Sequence, residues 1–275
     1  MSSRTRRVPD CDWLQFGDDS SLVASARPRS DWLEAPVGLA VVPETATRGA
    51  LAAAWLRDAQ IEHAAIATYA RFSLQLLALG APPELVCAAH QGALDKVEHA
   101  QACFALASRY AGCALGPGEL PVPSEPAFGG MVEAAAAVLR EGCVAATLAA
   151  RLAYEQLQHA SDETAQAALL RIATDETQHA AFAYQFLRWA ISREGLCVCA
   201  AVNAGLAAVR EQILAAEVAL DGELALEEWH AHGRLSARER RACMVACFHE
   251  VIEPCVRGLL EAPLDGQGAA CAPPV

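Results

Sequence analysis

The chain has 275 residues, a formal net charge of −12 and 54% hydrophobic residues. An acidic surface of this kind lacks the basic face that sequence-independent nucleic-acid binding needs, so nucleic acid is not expected as a partner. Aromatic residues make up only 6% and alanine dominates, which favours close-packed helices because alanine gives up no side-chain entropy on entering one.

Apolar runs are broken by Arg, Glu, Asp or His before the ~20 residues that a membrane span needs. The arginines of the first residues are not followed by an apolar stretch. The expectation is therefore no membrane segment, no secretory signal and a cytoplasmic location. The eleven cysteines include no C-x-x-C pair, so the common zinc and thioredoxin-like patterns are missing, and most are expected to act as small buried hydrophobes.

In chain order, residues 1–45 read as an irregular extension, with Pro9, Pro28, Pro36 and Pro43 and no sustained period. Trp13, Trp32 and Leu33 are its candidates for packing onto the body. From 48 to 79, Trp55, Glu62, Ile66, Tyr69, Phe72 and Leu76 recur mostly at three- and four-residue steps, which puts them on one helical face. Gly80 and Pro82-Pro83 end that helix and start a second, over about 83–111. Residues 116–126 read as a long loop. A third helix covers about 129–160, and Ser161-Asp162 supplies a break with N-cap chemistry before a fourth that runs to about Arg193.

Two further helical segments are expected at about 198–219 and 237–261. The second opens on the capping box Ser236 to Glu239 and is interrupted at Pro254. Four helices of ~30 residues, with connections that run short, long, short, describe a four-helix bundle with one crossover. The domain reading is an irregular extension at 1–45, the bundle at 46–194, a packed helical extension at 195–262 and a tail at 263–275. Trp229-His230-Ala231-His232 reads as a polar turn with a surface histidine pair, and Arg238–Arg241 as a solvated helix start.

Chemistry concentrates in a repeat. The fourth helix carries Asp175-Glu176-Thr177-Gln178-His179-Ala180, and the second carries Asp95-Lys96-Val97-Glu98-His99-Ala100. Asp95/Asp175 and His99/His179 are offset by 80 residues, while Glu62 on the first helix and Glu141 on the third are offset by 79. Glu176 and His179, three apart, project from one face. Each Glu lies among apolar neighbours, and a buried carboxylate without a partner costs several kcal/mol. Cations that neutralise converging acids and histidines explain the pattern. A hydrogen-bonded polar core without metal is the alternative.

These residues resemble the ferritin-like superfamily of carboxylate-bridged dimetal proteins, over about 48–193. More narrowly, Ile61–Leu85, the turn at 95–100, Arg140–Ala150, the turn at 175–180 and His232–Ala242 are similar to bacterial ferritin-like domain proteins. The resemblance implies a ferritin-like four-helix bundle with metal ligands Glu62, His99, Glu141, Glu176 and His179, and with Asp95 and Asp175 orienting the histidines. It also implies iron, or manganese, and oxidoreductase chemistry on dioxygen, peroxide or a small-molecule substrate. Tyr69, two turns from Glu62 on the same face, reads first as a core aromatic, with electron relay or a hydrogen bond to a ligand as its alternative role.

Lys96 stands where the family pattern has a glutamate. Three outcomes are open: Lys96 replaces one metal, leaving an ion on Glu141, Glu176 and His179; it replaces both, leaving no cofactor and a salt-bridged, non-enzymatic module; or it points outward while Asp95 or Glu98 turns in. Ala146 stands where similar sequences often carry a glutamate; if that position is the third-helix ligand in place of Glu141, two ligands are lost and the metal-free outcome gains. A monomer and a homodimer both fit the sequence.

Overall fold

A computed structural model describes residues 23–33, 45–122, 128–216 and 226–262. Trp13, Pro9, Pro36, Pro43 and the tail from 263 lie outside the described residues. Within these the chain is all-α apart from one short ribbon. Helix α1 (Thr45–Ala78) and helix α2 (Pro83–Ala111) form a hairpin. Gly80, at φ 65°, closes α1 while Ala81 N–H reaches back to the Leu76 carbonyl at 2.9 Å, a left-handed stop that glycine takes without a Cβ penalty. Pro82 is extended, and Pro83 opens α2 in its first turn.

The ribbon pairs β1 (Ala26–Pro28) antiparallel with β2 (Leu115–Pro117), with Ala26 opposite Pro117. Both segments read as irregular from sequence, because three-residue strands carry no period. Trp32 and Leu33 follow β1 and pack, partly buried, against the body as expected.

Helix α3 (Met131–Val138), a π-helical segment (Leu139–Val144) and helix α4 (Ala145–His159) continue one another, since Leu139 and Ala145 at the junctions keep right-handed helical dihedrals. The Asp162 side chain accepts from Ala165 N–H and caps helix α5 (Glu163–Glu194). Helices α6 (Leu196–Ala215), α7 (Leu226–Ala231) and α8 (Ala237–Cys247) come next. The predicted capping box is present: Glu239 N–H donates to Ser236 Oγ, and Ser236 N–H to Glu239.

A second π-segment (Phe248–Ile252) leads into helix α9 (Glu253–Glu261) with right-handed helical dihedrals at both junctions, so the expected interruption at Pro254 takes the form of a π-turn just before it in a continuous rod. Contrary to the sequence expectation, α6 is long and apolar enough to cross a membrane by length and composition. Its Val198, Val202, Leu206, Val209 and Ile213 pack into the core.

Two apolar clusters fill the interior. One contains Leu51, Trp55, Ala59, Phe104 and Leu169, and the other Leu76, Ala89, Leu148, Phe186 and Phe248. Along α1, α2 and α5 they are divided by a belt that carries Glu62, Lys96, His99, Glu176 and His179. The segment after α7 is latched onto the body by buried polar groups. Tyr110 Oη meets His232 Nδ1 at 2.9 Å, His232 Nδ1 lies 3.8 Å from Asp162, and Arg234 pairs with Asp58 while stacking over Trp55. His232 is therefore buried and His230 bonds Glu239, so these two are not the surface pair read from sequence. The polar turn looks solvated only when its partners on α2 and α5 are not in view.

The cysteines also depart from expectation. Among the described residues Cys103, Cys143 and Cys247 are buried free thiols, while Cys87, Cys113 and Cys255 are exposed.

Candidate metal centre

The belt is built by three helices. Helix α1 contributes Glu62, α2 contributes Asp95, Lys96 and His99, and α5 contributes Asp175, Glu176 and His179. At its centre the Lys96 ammonium donates to Glu62 Oε2 at 2.8 Å and to Glu176 Oε1 at 2.6 Å. Of the outcomes open from sequence, the outward lysine is ruled out. Glu98 is exposed and paired with Arg171, and Asp95 holds His179.

The histidines are held reciprocally across the α2–α5 contact. His99 Nε2 lies 2.9 Å from Asp175 Oδ2, and His179 Nε2 lies 2.9 Å from Asp95 Oδ2. With Nε2 engaged by an aspartate, each ring turns Nδ1 inward. His99 Nδ1 faces Glu62 Oε2 at 3.4 Å and Glu176 Oε1 at 3.6 Å, and His179 Nδ1 faces Glu176 Oε1 at 3.2 Å. This is how a carboxylate fixes the tautomer and direction of a ligand imidazole. The aspartates, inferred as orienting groups by resemblance, occupy those places.

Four carboxylates thus surround one ammonium and two imidazoles. Burial pushes the Glu62 carboxyl up, but the Lys96 ammonium and His99 outweigh it and bring its pKa down from 4.5 to about 2. Glu176 is lowered too, against its own burial, chiefly by Lys96. Burial opposes charge on Lys96, yet Glu176 and Glu62 raise its pKa, so it stays protonated. Burial likewise disfavours the charged imidazole of His99, and its contact with Glu62 more than offsets this, raising the pKa above 6.5.

Glu62, His99 and Glu176 each offer one donor atom, and these atoms lie within 4.8 Å of one another. A tetrahedral ion with bonds of ~2.1 Å separates its ligand atoms by about 3.4 Å. The two edges from His99 Nδ1, at 3.4 and 3.6 Å, match that spacing. The oxygen–nitrogen donor set suits a first-row divalent ion. Lys96 Nζ shares the same two carboxylate oxygens, so the residues fit a metal only when the ammonium leaves them.

Glu141 is not brought into this triad. It sits in the first π-segment, 3.9 Å from Arg71 and partly exposed, on the rim of a cavity that His179 and Tyr69 line at its inner end. A π-turn takes up an extra residue and rotates the helix beyond it. The departure of the Glu62/Glu141 offset from 80 is the sequence trace of an altered spacing on this side. Ala146 is buried, in the first turn of α4.

Tyr69 packs beside the site, its ring centroid 5.2 Å from that of His179. Burial raises its phenol pKa, keeping it protonated. Room for the ring comes from Gly92, which sequence reading missed: a Cβ there would overlap Tyr69 Cε1 and Cδ1. Gly92→Ala is expected to cost about 1–3 kcal/mol by overpacking, despite alanine's better helix propensity, as read by thermal denaturation. Cys103, one turn beyond His99, is a buried thiol whose pKa burial pushes well up, which suits core packing more than ligation.

No protein-family model, curated protein or solved structure matches the chain.

Proposed function

We propose that the protein is a ferritin-like four-helix bundle that binds one divalent transition-metal ion, iron or manganese, at Glu62, His99 and Glu176, in competition with the Lys96 ammonium. The observation that carries this reading is that one pair of carboxylate oxygens serves two geometries. They accept from Lys96 at 2.8 and 2.6 Å, and with His99 Nδ1 they form edges of metal-ligand length. Iron or manganese held there would supply oxidation–reduction chemistry toward dioxygen or peroxide. Asp175 holds His99 in the tautomer that ligation requires, and Asp95 does the same for His179. Glu141, at the rim, is left out of the ligand set.

The second reading, a metal-free module of structural or interaction role, is favoured by the completeness of the Lys96 ion pairs. Metal analysis separates the two. Protein produced in iron-rich medium is expected to carry iron or manganese approaching one ion per chain, and Glu176→Ala to lose it. Wild-type protein without any transition metal would sink the metal reading.

Binding also has a pH signature. The His99 proton must leave before Nδ1 can ligate, and its pKa is raised above 6.5. Metal affinity is therefore expected to fall by about tenfold per pH unit below that raised value and to level off above it. Isothermal titration with Mn²⁺ across pH 5.5–8.5 reads this directly.

A further inference from the structure

The cavity beside the belt has a composition that selects its occupant. It lies between α1, the α3–π rod and α5. Phe72, Val138, Phe182 and Ala183 form apolar walls, His179 lies at the inner end, and Arg71 and Glu141 lie at the rim. Its volume is about 60 Å³. An enclosed apolar cavity of ~150 Å³ accommodates benzene; this smaller one, open at its rim, encloses only a small ligand and leaves any larger one projecting into solvent.

Charge at the rim argues against an ionic ligand. Arg71 and Glu141 stand 3.9 Å apart, so an entering anion meets Glu141 and an entering cation meets Arg71. Inside, an ion would leave water for aromatic and aliphatic walls, at a cost that unpaired charges do not recover. The inner end offers no unused imidazole nitrogen, because His179 gives Nε2 to Asp95 and Nδ1 to Glu176.

We propose that this cavity binds small, uncharged, largely apolar organic molecules, the class of short-chain alcohols and ketones, beside His179. The site stands on the cavity alone and is independent of the proposed metal binding at Glu62, His99 and Glu176, none of which lines it. Ala137 lines the wall away from the belt, so filling the cavity from that side leaves the metal ligands untouched.

The test is an NMR titration of the full chain with three probes of similar size, namely 2-propanol, acetate and isopropylammonium. Metal content is measured on the same samples. Saturable shifts at Val138, Phe182 and Ala183 are expected with 2-propanol and not with either ion. Ala137→Leu should weaken 2-propanol binding about tenfold, the loss expected when two methylenes' worth of ligand burial is denied, with metal content unchanged. Should that variant fold poorly, Val138→Ala enlarges the cavity and should shift preference from 2-propanol to tert-butanol.

Tighter binding of acetate or isopropylammonium at these residues overturns the proposal. So does 2-propanol binding that neither variant alters. Saturable 2-propanol binding upholds the site whatever the metal content of the protein. A metal-loaded protein with no 2-propanol shifts would remove the site and leave the metal reading standing.

Discussion

Lys96→Met is expected to destabilise the metal-free protein by about 3–5 kcal/mol, the range observed when one partner of a buried ion pair is removed. Methionine keeps much of the lysine stem's volume, so the loss is electrostatic. Glu62 and Glu176, with side chains 12% and 3% exposed, are left facing each other without a cation. Two carboxylates in that position cannot both stay ionised. The penalty should therefore shrink as pH falls and one of them takes up a proton. Added Mn²⁺ should restore stability to the variant, because the ion supplies the positive charge the lysine provided. Urea denaturation with EDTA, and again with excess Mn²⁺, reads both effects. A loss below about 1 kcal/mol with EDTA would mean that the Lys96 contacts contribute little, as exposed pairs do.

Acid should unfold the protein through the same belt. Glu62 has its folded pKa lowered from 4.5 to about 2. Its contribution is thus fully present above about 4.5 and is lost as pH falls toward 2. The span of about 2.5 units corresponds to roughly 3 kcal/mol. Glu176 shifts in the same direction and adds to the fall. His99 acts oppositely. Its raised pKa gives stability that is complete below 6.5 and is lost as pH rises through the raised value. Metal-free protein should accordingly be most stable between about pH 4.5 and 6.5, and Glu62→Gln should flatten the acid limb. Chemical denaturation at half-unit pH steps tests this, and an acid limb unchanged in Glu62→Gln would remove Glu62 as its source.

The helices were legible in the sequence because their apolar faces keep period and their ends carry local chemistry. Gly80 with Pro82-Pro83, Asp162 and the Ser236–Glu239 box are all local signals, and each stands where its residues placed it. Most of the belt was legible for a different reason. Asp95/Asp175 and His99/His179 repeat across two hairpins, with Glu176 opposite Lys96, and repetition of charged residues on apolar faces is rare enough to be noticed. The direction of Lys96 was not legible, since the same helical position permits an inward or an outward rotamer until the partner helix is in place.

Glu141 illustrates the other limit. Its spacing matched the repeat to within one residue, and a π-turn is one residue of difference. The reciprocal Asp–His pairs and the fit of Gly92 against Tyr69 are cross-helix facts that no local pattern carries. His232 was misplaced on the surface for the same reason, because its partner Tyr110 is 122 positions away.

The proposed competition between the Lys96 ammonium and a divalent cation for Glu62 and Glu176 has a direct readout. Mn²⁺ binding isotherms of wild-type protein and Lys96→Met, at one pH above the His99 titration, test it most directly. One ion per chain is expected in both, bound at least about tenfold tighter in Lys96→Met, equivalent to about 1.4 kcal/mol. Equal affinity in the two proteins, or no binding in either, would contradict it.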